Sequence, residues 1–180
     1  MIKKLVLGTS ALIVIGVAVF CVVVSIQPED FRITRTATLN APPEKAFEQV
    51  NDFHKWEAWS PWAKIDPAMK TMYSGPSSGV GASYSWIGNS QVGEGKMTIT
   101  ETRPNDSVKI NLDFIQPFAA KNMTEFTFKP DGDKTNVTWS MTGKNNFMAK
   151  GFNLLMNMDK LVGGDFEKGL TQMKTAVEAK

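Results

Sequence analysis

From Phe31 to Leu39 the chain alternates. Phe31, Ile33, Arg35, Ala37 and Leu39 fall on one side, and Arg32, Thr34, Thr36 and Thr38 on the other. That pattern predicts a strand. The next stretch, NAPPEKAFEQVNDF, changes period. Ala46, Phe47 and Val50 form an apolar helical face, Glu44 sits in the first turn, and Asn40 or the prolines supply the stop and start. A second short helical piece holds Trp56 and Trp59 and ends near Ser60-Pro61, because the residue before a proline is pushed out of helical conformation.

From Thr71 the pattern is one of punctuated strands. A short TMYSG precedes GASYSWIGN, which puts Ala82, Tyr84 and Trp86 on one face. Met97 and Ile99 share a face in GKMTITETRP. Val108, Ile110, Leu112 and Phe114 point inward in the next segment, against Lys109, Asn111 and Asp113. Thr124, Phe126 and Phe128 then oppose Glu125, Thr127 and Lys129. After a DGDK hairpin turn, Val137, Trp139 and Met141 oppose Thr138, Ser140 and Thr142. Clean alternation of this kind predicts an antiparallel sheet with one dry and one wet face. The C-terminal stretch returns to a helical period: Met148, Phe152, Leu155, Met158, Val162, Phe166, Leu170, Met173 and Val177. These make one stripe of a long amphipathic helix that matches the dry face of the sheet. Gly163-Gly164 marks a break, a kink or a close contact within it. The class is α+β.

The N-terminus stands apart. Leu5 to Ile26 is 22 residues without a charge, and a helix of that length spans about 33 Å, enough for a hydrocarbon core of roughly 30 Å. Lys3 and Lys4 precede it, and Glu29 and Asp30 follow it. The expectation is a retained transmembrane helix that anchors the chain through residues 5–26, with the C-terminal domain extracytoplasmic (periplasmic in a bacterium). A cleaved signal peptide is the alternative, although its apolar region is usually about 7–15 residues. The expected organisation is therefore residues 1–26 as anchor or uncleaved signal, and residues 27–180 as one domain.

Charge and cysteine narrow the function. Apart from Lys3 and Lys4, the 20 Lys and Arg are matched by 18 Asp and Glu, so no electrostatic footprint for nucleic acid is present. With one Cys and one His, neither a disulfide nor a Cys- or His-based metal centre can be assembled. No metal and no cofactor are expected. His54, next to Lys55, reads as a surface histidine at a helix end. GPSSGVGASYSWIG lacks the Lys-Ser/Thr of a phosphate-binding loop; Gly75, Gly79, Gly81, Gly93 and Gly95 are expected in turns and sheet bends. There is no nucleophile elbow, so no catalytic residue is assigned. Asn105, Asn122 and Asn136 begin glycosylation-type triplets, two of them within predicted strands.

The order of elements, with WEAWSPW, GVGASYSWIGNSQVGEGKMTITE and DKLVGGDFEKGLTQMK, resembles the START/SRPBCC superfamily, in its polyketide-cyclase/dehydrase and lipid-transport branch. The resemblance covers about Phe31 to Glu178. It implies the helix-grip fold, a curved antiparallel sheet of about seven strands around a long C-terminal helix. It also implies a cavity for apolar small molecules. On that basis the candidate ligand-binding residues are Tyr84, Trp86, Met97, Leu112, Phe114, Phe126, Trp139, Met141, Phe152 and Leu155. Trp56, Trp59 and Trp62 read mainly as a hydrophobic plug at one end of the sheet. The expected function is a membrane-tethered domain that binds or carries an apolar small molecule or lipid. Two alternatives remain: a cyclase- or dehydratase-type enzyme acting on an apolar substrate, with Tyr84 as its best acid–base group, and a non-catalytic interaction module with a filled core.

Overall fold

The computed structural model describes the backbone of residues 2–179 and the side chains of residues 10 and 12–179. Its elements are α1 (Ile2–Ser25), β1 (Asp30–Leu39), α2 (Pro43–Asn51), a 3-10 helix (Phe53–Ala58), β2 (Lys70–Ser74), β3 (Ser83–Ile87), β4 (Glu94–Arg103), β5 (Ser107–Gln116), β6 (Ala120–Asp131), β7 (Lys134–Lys144), α3 (Phe147–Leu155) and α4 (Met158–Glu178). Packing divides the chain into two compact units, Met1–Phe31 with Asn145–Asn157, and Arg32–Lys144 with Met158–Lys180.

The larger unit is a seven-stranded sheet in the order β1-β7-β6-β5-β4-β3-β2. Strands β2 to β7 form an antiparallel meander. The expected alternation appears directly in burial: Met97, Ile99, Val108, Ile110, Phe126, Phe128, Val137, Trp139 and Met141 are all buried. Irregular register at Glu94/Gly95 and Ile99/Glu101 of β4 introduces bulges, which bend a strand and increase its twist. At the β6–β7 turn Gly132 has φ 63°, the left-handed position a two-residue hairpin requires of its first residue. α2 starts with Pro at its first turn and buries Ala46, Phe47 and Val50. Asp52 then starts the 3-10 helix by accepting the His54 N–H at 2.9 Å.

α4 buries Gly163, Phe166, Gly169, Leu170, Met173 and Val177. Each large apolar side chain in that stripe contributes about 1.5–3 kcal/mol. Two glycines let it approach closely. A Cβ on Gly169 would lie 2.8 Å from the Trp139 ring, and one on Gly163 would collide with the Arg35 guanidinium. Arg35, on the inward side of β1, reaches over Gly163 to a fork with both Asp159 oxygens at 3.2 and 3.0 Å, and to Glu167 at 2.6 Å. The close contact expected near Gly163-Gly164 is this one, with no break in the helix.

The break lies elsewhere. The single long stripe read from Met148 to Val177 is carried by two helices, because the chain leaves helical conformation at Met156 (φ −131°, ψ 130°). Asn146 caps α3 separately, accepting the Ala149 N–H at 2.9 Å. Apolar spacing cannot register such a break, since Leu155 and Met158 keep the period across it.

In the smaller unit, Val24 of α1 is fully buried, and a Cβ on Gly151 of α3 would touch Val24 and Phe20 at 3.9 and 4.0 Å. The Asn145 N–H donates to the Glu29 carbonyl at 2.7 Å. α1 covers almost all of the expected transmembrane segment, but among the described residues no helix is long and apolar enough to cross a membrane, so the expected spanning helix is not found among them. The side chains of residues 5–9 and 11 lie outside the described residues.

Candidate functional site

A cavity of about 800 Å³ opens within the larger unit. Its floor is the concave face of the sheet: Thr71 and Tyr73 of β2, Tyr84 and Trp86 of β3, Met97 of β4, Leu112 and Phe114 of β5, Thr124 of β6, and Trp139 and Met141 of β7. Its roof is about two and a half turns of α4, from Met158 through Leu161 and Val162 to Asp165 and Phe166. The 3-10 helix and the loop after it close one side with Phe53, Trp56, Glu57, Ser60, Trp62 and residues 63–67 and 69. Small-molecule sites occupy about 300–1,000 Å³, so the volume fits one.

The aromatic lining is ordered. Tyr73 and Tyr84 lie 5.3 Å apart, Tyr84 and Trp86 stack at 5.9 Å, and Trp86 meets Phe114 edge-on at 6.2 Å. Gly95 makes this possible, because any Cβ there would overlap the Trp86 indole. The Trp86 indole N–H donates to the Val92 carbonyl at 3.0 Å. On the opposite side, Trp139 stacks on Phe166 at 4.0 Å with the planes 5° apart. The buried Trp139 indole N–H has no hydrogen-bond partner among the described residues.

Polar groups fix the rim. The buried Asp66 carboxylate accepts the Ala68 N–H at 3.0 Å with one oxygen and the Asn89 N–H at 2.7 Å with the other. It thereby ties the loop after the 3-10 helix to the β3–β4 turn. Asp165 pairs with Lys168 at 3.0 Å. Burial, then the charges of Tyr73 and Glu57, push the Tyr84 phenol up to about 12. Burial and the carboxylates of Glu57 and Asp52 raise Tyr73 as well. Both phenols stay protonated at neutral pH. A phenol near 12 is a poor general acid.

Seven of the ten candidate residues come together on this wall: Tyr84, Trp86, Met97, Leu112, Phe114, Trp139 and Met141. Phe126 is fully buried and stacks on Trp139 at 4.8 Å, one layer behind the lining. Phe152 and Leu155 lie on α3, in the other unit, with 44% and 75% of their surface exposed. Their assignment followed from a single unbroken helix. Sequence reasoning had no signal for the loop 63–69 and Val92 walls, which have no period. Among the tryptophans, Trp56 and Trp59 are buried and donate to the Val50 and Gln49 carbonyls at 3.1 Å. They thus satisfy two of the last carbonyls of α2, and Trp56 also lines the cavity. Trp62 meets Trp139 and Phe166 edge-on and is wall.

His54 lies outside the lining. Its Nδ1 is 2.8 Å from Asp52 Oδ1, its ring stacks on Tyr73 at 4.1 Å, and its side chain is half exposed. Among the described residues, no three His, Cys, Asp or Glu are grouped to hold a metal.

Comparison with known proteins places this geometry. The sequence model of a family described as polyketide cyclase / dehydrase and lipid transport matches residues 30–178. No curated protein matches the sequence. Protein CV1439 from Chromobacterium violaceum is similar in structure, with TM-score 0.59 and 15% identity over 86% of this chain and 100% of that one. Protein SA2116 from Staphylococcus aureus gives TM-score 0.64 and 11% identity over 85% and 96%. Aha1 from Colwellia psychrerythraea, solved as a dimer, gives TM-score 0.59 and 16% identity over 83% and 97%. At such identities the likeness is one of fold, and the shared fold is the helix grip.

Proposed function

The chain belongs to the polyketide cyclase/dehydrase and lipid transport family, and from that premise we propose that its larger unit binds and carries an apolar small molecule or lipid. One observation carries the reading: a cavity of about 800 Å³ whose floor and roof are mainly aromatic and aliphatic side chains. A filled-core interaction module would leave no such volume, since protein interiors pack to crystal density. The enzyme alternative draws no support from the polar groups. Asp66 is engaged by two backbone N–H groups, Asp165 by Lys168, and Tyr84 is held protonated. The remaining ionisable lining groups, Glu57 and Lys64, form no ion pair with each other.

The location belongs to the same proposal. The segment around α1 holds the domain at the extracytoplasmic side of a membrane, supported by Lys3 and Lys4 before the apolar run, Glu29 and Asp30 after it, and the exposed apolar side chains between Leu12 and Val23. Alkaline carbonate extraction of membranes tests this; release of the chain into the supernatant refutes it. For the cavity, the full chain in amphipol is titrated calorimetrically with 2-(2-naphthyl)ethanol, a neutral apolar probe. Saturable one-to-one binding at micromolar concentration is expected. No heat and no change in tryptophan emission refute the carrier reading.

A further inference from the structure

The charged groups of the cavity are not equivalent. Four ionisable side chains of fixed charge line it: the carboxylates Glu57, Asp66 and Asp165, and the ammonium of Lys64. Asp66 is buried with both oxygens occupied by backbone N–H groups, and Asp165 is paired with Lys168. Glu57 differs. It is exposed and, among the described residues, forms no salt bridge, with Lys64 or with any other cation. It is thus the lining carboxylate left without a partner.

Two phenols share the cavity lining with it. Tyr73 and Tyr84, 5.3 Å apart and tilted by 51°, both line the same cavity, and Tyr84 continues into the stacked Trp86. The charge of Glu57 is felt at both phenols, which after burial it helps to hold protonated. Neutral phenols keep π faces that attract cations and repel anions. A carboxylate beside such faces adds Coulomb attraction of the same sign.

We infer that the apolar ligand of this cavity carries a cationic end, an amine or quaternary ammonium, seated where Glu57, Tyr73 and Tyr84 converge, with its apolar body running along Trp86 towards Phe114. This inference rests on the carrier reading above and adds the charge class of the ligand. A carboxylate-ended ligand would meet an uncompensated carboxylate and two electron-rich ring faces at that end, with only the exposed Lys64 to receive it.

Three probes of matched body separate the possibilities: 2-(2-naphthyl)ethylamine, 2-(2-naphthyl)ethanol and 3-(2-naphthyl)propanoate, each titrated calorimetrically into the full chain in amphipol. The amine is expected to bind at least fivefold more tightly than the alcohol, and the propanoate more weakly than both. Raising NaCl from 50 mM to 500 mM should shrink the amine's advantage. Glu57→Gln should bring the amine-to-alcohol ratio of Kd close to one, while Glu125→Gln on the outer face of β6 should leave the ratio as it was. Equal affinity for amine and alcohol, or tightest binding of the propanoate, overturns the inference and leaves the carrier reading standing. An amine preference that survives Glu57→Gln overturns the assigned position. Failure of all three probes to bind removes the carrier reading itself.

Discussion

Replacing Trp86 with Phe separates the stability of the fold from the occupancy of its cavity. Trp86 is 9% exposed, donates its indole N–H to the Val92 carbonyl at 3.0 Å, and occupies the space a Cβ at Gly95 would fill. Its other surface borders the cavity. Phe keeps one ring and loses the N–H and the outer part of the indole. The lost hydrogen bond accounts for about 0.5–1.5 kcal/mol. Truncating a Trp packed on all sides to Ala costs about 3–5 kcal/mol, but here one side has no packed partner to lose and most of the ring remains. The sum is about 1.5–2.5 kcal/mol, equivalent to a fall in Tm of roughly 3–10 °C for a domain of this size. Binding should respond more clearly. The removed atoms form the wall between Tyr84 and Phe114, and loss of one aromatic contact of about 0.5–1.5 kcal/mol weakens an aromatic probe by roughly 2- to 12-fold. Asp113→Asn is the control. Asp113 stands opposite Lys96 and Lys121 on the outer face; the change should cost at most about 1 kcal/mol and leave probe affinity alone. Differential scanning fluorimetry and calorimetric titration of 2-(2-naphthyl)ethanol read the two quantities. A Tm loss near 3–10 °C with unaltered affinity would show that the probe binds elsewhere. A loss above about 15 °C would show that Trp86 is packed on every side.

Other perturbations test the supports of the cavity. The folded-state phenol of Tyr84 is raised to about 12 from 10, so its contribution is fully present below pH 10 and is lost as pH rises towards 12; discounted for partial exposure it is about 1–2 kcal/mol, and Tyr84→Phe should flatten the alkaline decline in Tm. Arg35→Ala removes the fork to Asp159 and the pair to Glu167; the Tm loss should be larger in 50 mM than in 500 mM NaCl, and Arg35→Lys should not restore it, since an ammonium cannot reproduce the fork. Asp66→Ala strands the Ala68 and Asn89 N–H groups and should cost about 2–4 kcal/mol with faster amide exchange at both. His54→Ala loses only a half-exposed ring stacked on Tyr73, and should move Tm by less than about 3 °C with probe affinity intact.

Strand β1 and strands β3 to β7 were legible because each has one dry face, and a period of two leaves no freedom in which residues share it; β2 is exposed along its whole length. Val108 and Ile110 are fully buried while Asn111 is exposed, as alternation demands. Two features escaped for the same physical reason, that periodicity reports direction and not distance. Phe126 points inward as expected but stops one layer behind the wall, with Trp139 in front of it. Phe152 and Leu155 continue the helical stripe in sequence, yet Met156 breaks the helix between them and α4. Loop residues such as Asp66 and Val92 carry no period at all, and their roles depend on hydrogen bonds to chain segments 23 and 6 residues away. Arg35 was readable as an inward position but not as an ion-pair centre, because its partners lie 124 and 132 residues further along.

An apolar cavity of about 800 Å³ forgoes dispersion contacts along its lining, and an unsupported fold would relax inward to recover them. Three polar ties oppose that collapse. Asp66 fastens the loop after the 3-10 helix to the β3–β4 turn, Trp86 fastens its own ring to Val92 of the same turn, and Arg35 fastens the start of α4 to β1. Each tie is directional, with donor–acceptor distances of 2.6–3.2 Å, so each resists the sliding that closure would need more than apolar packing could. The aromatic lining adds stiffness, because Trp139 is held between Phe166 and Phe126 and Trp86 is held against Gly95. The expected consequence is a wall fixed before any ligand arrives, which reduces the ordering cost of binding.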